Sequence, residues 1–315
     1  MDTIALAIHG GCGVMARDEQ SEAEWAAARR DLAHALAAGW EILRQGGRAL
    51  DAVEAAVIVM ENSPHFNAGY GAALNAAGEH ELDASIMDGE TLAAGAVTLA
   101  RRIRNPIRAA RVLLERGGAV LLGGPAADDF ATACGLDMVP SGYFTTERRR
   151  RSLVAMQAHH AACSAATEAE KHGTVGAVAL DRAGHLAAAT STGGYTAKPS
   201  GRIGDSPIVG AGTYARDGVC AVSGTGQGEI FIRHAVGHEI ASRIAYLGET
   251  LEAAANRVIL EDLAGYGSGA GAVAVDAAGR VAAPFNTEGM FRGWVTSGGE
   301  AIVATHQELH RIELP

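Results

Sequence analysis

The stretch from Lys171 to Thr192 constrains the fold more than any other part of the sequence. It contains two short apolar runs, VGAVAL and HLAAAT, separated by Asp181-Arg182-Ala183-Gly184. Apolar runs on either side of a short turn that contains glycine predict a β-hairpin. We therefore expect the chain to be organised around this hairpin.

Thr174 opens the first predicted strand and directly follows Gly173. If the chain is cut between these residues, Thr174 becomes an N-terminus that carries both a hydroxyl nucleophile and an α-amine base. Thr192 ends the returning strand. Because the tight turn places residues near 174 and 191 opposite each other, we expect Thr192 to lie within hydrogen-bond reach of Thr174. From its position alone, Thr174 would be an ordinary residue at the start of a strand. The presence of Thr192 favours the interpretation that Thr174 is a nucleophile assisted by a second hydroxyl.

Composition narrows the class of protein. The chain has 315 residues, 48% hydrophobic and 20% charged, enough for a substantial core. Its net charge of −10 without a basic segment argues against a nucleic-acid partner. No apolar run approaches the roughly 20 residues that span a membrane, and the N-terminus lacks the basic start of a signal peptide. The four cysteines form no Cys-x-x-Cys pair, so we expect reduced thiols and a cytoplasmic protein.

The remaining segments favour an α+β fold. A Ser21–Glu24 capping box precedes a helix predicted over 21–45, and a second helix is predicted over 49–62. Together they form a helical hairpin that would cover a sheet. The segment GAVALDRAGHLAA, residues 176–188, recurs as GAVAVDAAGRVAA at 271–283, which predicts a neighbouring hairpin with the same turn chemistry. A strand is also predicted over 208–215, and a further helix over 229–246.

The segment 145–170 has little apolar periodicity. We interpret it as a surface segment or linker, with the run Arg148 to Arg151 forming a solvated face.

Two polar segments carry residues suited to binding or catalysis. SGTGQGE, residues 223–229, is a glycine-rich turn ahead of a helix, which can direct backbone N–H groups at an oxyanion. Arg202 and Asp205 lie three residues apart in a loop. They form either a surface ion pair of little energetic value or a clamp for the α-carboxylate and α-ammonium of a zwitterion.

The order of motifs resembles a known family. The motifs are IHGGCG, FNAGYGAALN, HELDASIMDG, HGTVGAVALD, STGG, GRIGDSPIVGAGTYA, SGTGQGE and PFNTEGMFRGW. In this order, over nearly the whole chain, they resemble the plant-type L-asparaginase/isoaspartyl aminopeptidase (β-aspartyl-peptidase) family of N-terminal nucleophile hydrolases. Several motifs in one order are far more specific than any one alone.

The resemblance implies a four-layer αββα sandwich in a single domain over 1–315. It implies autocleavage between Gly173 and Thr174, which would give an α subunit (1–173) and a β subunit (174–315) that stay associated and dimerise. The implied reactions are hydrolysis of L-asparagine to L-aspartate and ammonia, and removal of N-terminal isoaspartyl residues from peptides. No cofactor is implied for catalysis.

The resemblance also implies roles for residues of the β subunit. Thr174 is the nucleophile and Thr192 its hydrogen-bonded helper, while Thr225 and Gly226 bind the oxyanion. Arg202 and Asp205 bind the substrate's α-carboxylate and α-amine, respectively, and the Gly228 backbone assists.

The α subunit would contribute the other walls of the site. Asn67 and the Gly10-Gly11 turn are implied to line it, and Cys12 stands where the family often has a smaller residue. A structural sodium ion is implied on the loop from Met60 to Tyr70, bound by six backbone carbonyls: Met60, Glu61, Ser63, Phe66, Ala68 and Tyr70.

Three alternatives remain from the sequence. Glycosylasparaginases share related motifs but usually have Asp before the threonine, where this chain has Gly173. Threonine aspartases share the threonine hairpin and should not need a clamp for a free amino acid. The third alternative is an uncleaved, non-catalytic relative that binds an amino acid or a partner.

Overall fold

The predicted hairpin lies at the centre of the larger of two β-sheets. The structure is a computed structural model that describes residues 3–13, 15, 21–161, 173–267 and 269–314. The strands are β1 (Ala5–Gly13), β2 (Leu82–Asp88), β3 (Ala94–Ala100), β4 (Leu121–Gly123), β5 (Val175–Leu180), β6 (Leu186–Thr192), β7 (Thr213–Arg216), β8 (Cys220–Gly226), β9 (Ala270–Asp276), β10 (Val281–Ala282), β11 (Gly289–Thr296), β12 (Ala301–Ala304) and β13 (Leu309–Ile312).

The first sheet has the strand order β13-β12-β11-β1-β5-β6-β2-β3-β4, and the second has the order β10-β9-β8-β7. Within these sheets β3 and β4 pair in parallel, while the other neighbours are antiparallel. The predicted α+β class is therefore confirmed, since the protein combines helices with two predominantly antiparallel sheets.

Eight α-helices cover these sheets within the described residues. They are α1 (Glu22–Arg44), α2 (Ala49–Glu61), α3 (Pro106–Arg116), α4 (Pro125–Ala133), α5 (Glu147–Ala161), α6 (Gly228–His234), α7 (Val236–Leu247) and α8 (Leu251–Asn256). Helices α1, α2 and α3 pack on the first sheet, and α7 and α8 pack on the second. None of the described helices is long and apolar enough to cross a bilayer.

The predicted capping box of α1 is present, with Ser21 and Glu24 bonded to each other's backbone N–H groups. The helix then buries one face, including Leu32 and Leu36, against the first sheet. A second apolar core fills the space between the sheets, where β5 contacts β8 and β9. This packing places the predicted hairpin between a helical layer and the second sheet.

The repeated segment forms two hairpins with the same turn chemistry, as predicted. In the β5–β6 turn, Asp181 Oδ1 accepts from two backbone N–H groups and Gly184 has a φ of +87°. In the β9–β10 turn, Asp276 Oδ1 does the same and Gly279 has a φ of +74°. The hairpins belong to different sheets and face each other across the core, rather than pairing edge to edge.

Three predictions about local structure were wrong. Residues 147–161 form helix α5, and Arg148 and Arg149 are half-buried donors to loop carbonyls instead of a solvated face. The helix predicted over 229–246 is interrupted at Ala235, which has a φ of +47°. The strand predicted over 208–215 begins only at Thr213, because the preceding residues turn around the Asp205 carbonyl.

Other parts of those predictions fall on residues that the structure does not describe, namely 162–172. These include the end of the proposed linker, Cys163, and the first two residues of the hairpin stretch. The other three cysteines, Cys12, Cys134 and Cys220, are free thiols.

Candidate active site

The register of the hairpin brings the two threonines together. Val175 pairs with Ser191 across β5 and β6, so the residues next to them, Thr174 and Thr192, also face each other. The Thr174 hydroxyl donates to Thr192 Oγ1 over 3.2 Å, and both side chains are buried. The hydrogen bond expected from the turn length is thus present.

The carbonyl group that precedes Thr174 is held by two donors. Gly173 O accepts from Asn67 Nδ2 at 2.8 Å and from Thr192 Oγ1 at 3.0 Å. Asn67 is itself fixed, because its Oδ1 accepts from the Ala73 N–H at 2.6 Å and its Nδ2 also donates to Gly194 O at 2.5 Å. Asn67 was expected only to line the site, and no sequence pattern indicated that it holds this carbonyl.

Gly10 and Gly11 lie against this region without space for side chains. A Cβ on Gly11 would lie 2.9 Å from Gly173 Cα and 3.1 Å from Thr174 N, and its φ of +107° disfavours other residues. A Cβ on Gly10 would lie 2.6 Å from the Phe66 ring. Strand β1 therefore approaches the Gly173–Thr174 bond with bare backbone.

A cavity opens beside the threonines, and the predicted clamp residues lie in its lining. Its lining includes Thr174, Thr192, Arg202, Asp205 and Gly226. The structure thus brings together the nucleophile and clamp residues that the sequence pattern had singled out.

Arg202 is held in place on two sides. Its Nε and Nη2 donate to the two carboxylate oxygens of Glu229, each over 2.9 Å. Its guanidinium also lies 4.7 Å from the centre of the Tyr195 ring, within range of a cation–π interaction. Glu229 was not identified from the sequence as a partner, although it lies in the SGTGQGE motif.

Asp205 is not the ion-pair partner of Arg202 among the described residues, and it is only 5% exposed. Within that part of the chain its Oδ2 has no hydrogen-bond partner, and burial raises the pKa of the carboxyl to about 7. Gly228 packs on both residues, since a Cβ there would lie 2.8 Å from Arg202 Nη2 and from Asp205 Oδ1. The surface ion-pair interpretation is therefore wrong.

The oxyanion candidates occupy the end of β8. Gly226 lines the cavity with a φ of +142°. Thr225 lies behind it, outside the lining of the cavity, and its Oγ1 accepts from the Cys12 N–H at 3.4 Å. Burial raises the pKa of the Cys12 thiol to about 12, so Cys12 stays protonated and is a poor nucleophile.

A buried chain of polar side chains lies between the sheets below Thr174. His9 Nε2 is 2.9 Å from Ser223 Oγ, which is 2.7 Å from Thr190 Oγ1. Burial lowers the pKa of His9 to about 3, so the imidazole is neutral. Gly176 makes room for this chain, because a Cβ there would lie 1.9 Å from Ser223 Oγ.

The loop with the six candidate cation ligands follows α2. The Glu61 carbonyl accepts from the Tyr70 N–H at 2.7 Å, which closes the loop on itself. Arg148 Nη2 donates to His65 O at 2.9 Å and Arg149 Nε to Gly71 O at 2.5 Å. The two guanidinium groups therefore bond to the carbonyls of His65 and Gly71, which are not among the six candidate sodium ligands.

Comparison with known proteins places these features in a family. A family profile described as asparaginase matches residues 2–304. The chain is 44% identical to an isoaspartyl peptidase of Salmonella typhimurium (98% of this chain, 100% of that one) and 43% identical to one of Escherichia coli (98% of each chain). It is also 43% identical to the Homo sapiens isoaspartyl peptidase/L-asparaginase, over 74% of each chain. The resemblance drawn from the motifs is confirmed: this chain belongs to the asparaginase family.

Proposed function

We propose that the chain is an autoprocessed threonine hydrolase that cleaves L-asparagine to L-aspartate and ammonia and removes N-terminal isoaspartyl residues from peptides. The observation that carries the proposal is the Gly173 carbonyl, held by Asn67 and Thr192 beside the Thr174 hydroxyl. The names of the relatives support this function over a glycosylasparaginase.

Self-cleavage begins when Thr174 Oγ1 attacks the Gly173 carbonyl carbon. The hydroxyl proton has a path through Thr192 Oγ1, which accepts it in a hydrogen bond. The negative charge that develops on Gly173 O is stabilised by Asn67 Nδ2 and Thr192 Oγ1. The Gly173–Thr174 C–N bond then breaks as the Thr174 nitrogen takes up the proton that left the hydroxyl, which gives an ester on Oγ1 and a free α-amine. Water hydrolyses the ester to a Gly173 carboxylate and regenerates the Thr174 hydroxyl.

In the cleaved enzyme the Thr174 amine takes the hydroxyl proton, and Oγ1 attacks the β-carbonyl carbon of the substrate. Thr225 and Gly226 are the proposed groups for stabilising the oxyanion, since they end β8 where Gly226 lines the cavity. Ammonia or a peptide amine leaves with the proton, and water hydrolyses the β-aspartyl ester to regenerate Thr174.

The clamp binds the zwitterionic end of the substrate. Arg202 uses Nε and Nη2 for Glu229, and its Nη1 lies against Gly204 of the cavity lining, so the α-carboxylate is bound through the remaining N–H groups. Asp205, whose pKa burial raises to about 7, is ionised when the α-ammonium arrives, because an adjacent cation favours the carboxylate.

The finer architecture is also part of the proposal. Helices on the outer face of each sheet, with an apolar core between the sheets, support a four-layer αββα sandwich. Cleavage would divide it into an α subunit (1–173) and a β subunit (174–315) without separating β1 from β5, which pair over five residues. The dimer of αβ units and the cytoplasmic location stay predictions.

A structural sodium ion on the loop of residues 60–70 is a further proposal. The described residues contain no group of three His, Cys, Asp or Glu side chains that could hold a metal, so backbone carbonyls are the candidate ligands. Carbonyl oxygens are hard donors that suit such a cation. The closed loop, tied by Glu61 and Tyr70, supports a structural role.

The test of the function measures ammonia from L-asparagine and free leucine from β-aspartyl-leucine with purified protein. We expect both activities in the wild-type chain and neither in Thr174→Ala. Turnover that persists in Thr174→Ala would show that another group is the nucleophile.

A further inference from the structure

Lys198 is a fully buried cation next to the candidate active site. The chain contains only two lysines, Lys171 and Lys198, and its other cationic side chains are arginines apart from histidine. Lys198 is 0% exposed, and its Nζ donates to Glu81 O at 2.8 Å. Burying an ammonium group costs free energy unless it is paired and hydrogen-bonded. A lysine at this buried position therefore needs a structural explanation.

The lysine side chain packs directly on Gly194. A Cβ on Gly194 would lie 2.7 Å from Lys198 Cδ and 3.0 Å from Nζ, so the side chain fills the space beside that peptide. The turn that delivers it is strained at Ala197, which has a φ of +59°, whereas glycine adopts the φ of +80° found at Gly194 without strain. Strained backbone of this kind persists only where the surrounding contacts hold it.

Gly194 in turn orients both groups that hold the Gly173 carbonyl. Its N–H donates to Thr192 Oγ1 at 3.0 Å, which directs the Thr192 proton towards Gly173 O. Its carbonyl accepts from Asn67 Nδ2 at 2.5 Å, the same nitrogen that donates to Gly173 O. The position of one peptide therefore sets two hydrogen bonds on the carbonyl of the candidate scissile bond.

The charges around Lys198 keep it in place. Burial lowers the pKa of Lys198, while Asp83 and Glu81 oppose that effect and Arg202 adds to it. Asp83 is fully buried on β2, opposite Thr192 on β6, and its Oδ2 has no hydrogen-bond partner in the described part of the chain. The Asp83 carboxylate thus offers a counter-charge beneath the same pair of strands.

We propose that Lys198 is a positioning residue for self-cleavage: its buried side chain holds the Gly194 peptide so that Thr192 and Asn67 both point at Gly173 O. The inference rests on the proposed self-cleavage at Gly173–Thr174. Because the substrate oxyanion is assigned to Thr225 and Gly226, the effect of Lys198 falls mainly on processing.

The test compares the full-length chain with Lys198→Met, which keeps the side-chain length and removes the ammonium. Conversion of the intact chain to two pieces is followed by mass spectrometry after purification on ice. We expect cleavage to slow by at least about tenfold, with KM for L-asparagine unchanged in the cleaved fraction. Arg257→Met is the matched control, since Arg257 pairs with Glu261 and Asp262 on the surface.

Lys198→Met leaves the buried Asp83 carboxylate without its counter-charge and can therefore fold poorly. The double variant Asp83→Asn/Lys198→Met removes both charges and avoids this cost. We expect it to melt closer to the wild-type temperature and still to cleave slowly. Cleavage of either folded variant within twofold of wild type would overturn the role of Lys198. A wild-type chain that never cleaves would instead refute the proposed function itself.

Discussion

Asn67 offers the sharpest test of how the Gly173 carbonyl is activated. Its side-chain amide holds three groups at once: Gly173 O at 2.8 Å, Gly194 O at 2.5 Å and the Ala73 N–H at 2.6 Å. Asn67→Leu has a similar size and removes all three hydrogen bonds. Loss of one oxyanion donor lowers a rate by about 10²–10³-fold, or about 2.7–4 kcal/mol. We therefore expect self-cleavage to slow by at least about 100-fold.

The same substitution has a separate cost in stability. Gly194 O and the Ala73 N–H are left without this partner, and each buried unsatisfied group costs about 1–3 kcal/mol. Thermal unfolding, monitored by circular dichroism, separates this loss from the loss of rate. Asn62→Leu is the matched control, because Asn62 lies on the same loop and is exposed.

The assay is a time course of the fraction of intact chain at 25 °C, measured by mass spectrometry on denatured samples. If folded Asn67→Leu cleaves within threefold of wild type, Asn67 does not stabilise the oxyanion and the reasoning from its hydrogen bonds fails. If Asn62→Leu slows equally, the effect belongs to the loop as a whole.

Three further results are expected. Arg202→Ala should raise KM for L-asparagine at least about tenfold with a smaller change in kcat, because a charged hydrogen bond is worth about 1.5–3 kcal/mol; an unchanged KM would contradict the clamp. Below pH 7, kcat/KM should fall as Asp205, with its pKa raised to about 7, takes up a proton and loses its attraction for the α-ammonium; a wild-type profile that is flat from pH 7 down to about pH 5.5 would contradict this. Gly176→Ala should lower the melting temperature strongly because its Cβ would meet Ser223 Oγ at 1.9 Å, whereas Gly265→Ala, with no atom within 4 Å, should not; equal melting temperatures would refute the steric argument.

Local patterns predicted the hairpin and its two threonines correctly because short-range rules fix them. The length of the turn sets the register of β5 on β6, and the register places Thr174 opposite Thr192. The capping box of α1 depends on residues three apart, and it too is present. For this hairpin and this cap, where the determining contacts are local, the sequence was sufficient.

The parts that the sequence did not predict depend on distant contacts. Asn67 is 106 residues from Gly173, and Arg202 is 27 residues from Glu229. Arg148 meets the carbonyl of His65 only because α5 packs beside that loop. The run of arginines at 148–151 gives no local sign that its side chains bond to loop carbonyls, because only the folded chain brings those carbonyls close.

Self-cleavage itself is most directly tested by the intact mass of freshly purified protein under denaturing conditions. We expect two pieces, residues 1–173 and 174–315, with the second beginning at Thr174. A single chain that stays whole after prolonged incubation would contradict it and would favour an uncleaved relative that binds its ligand without turnover.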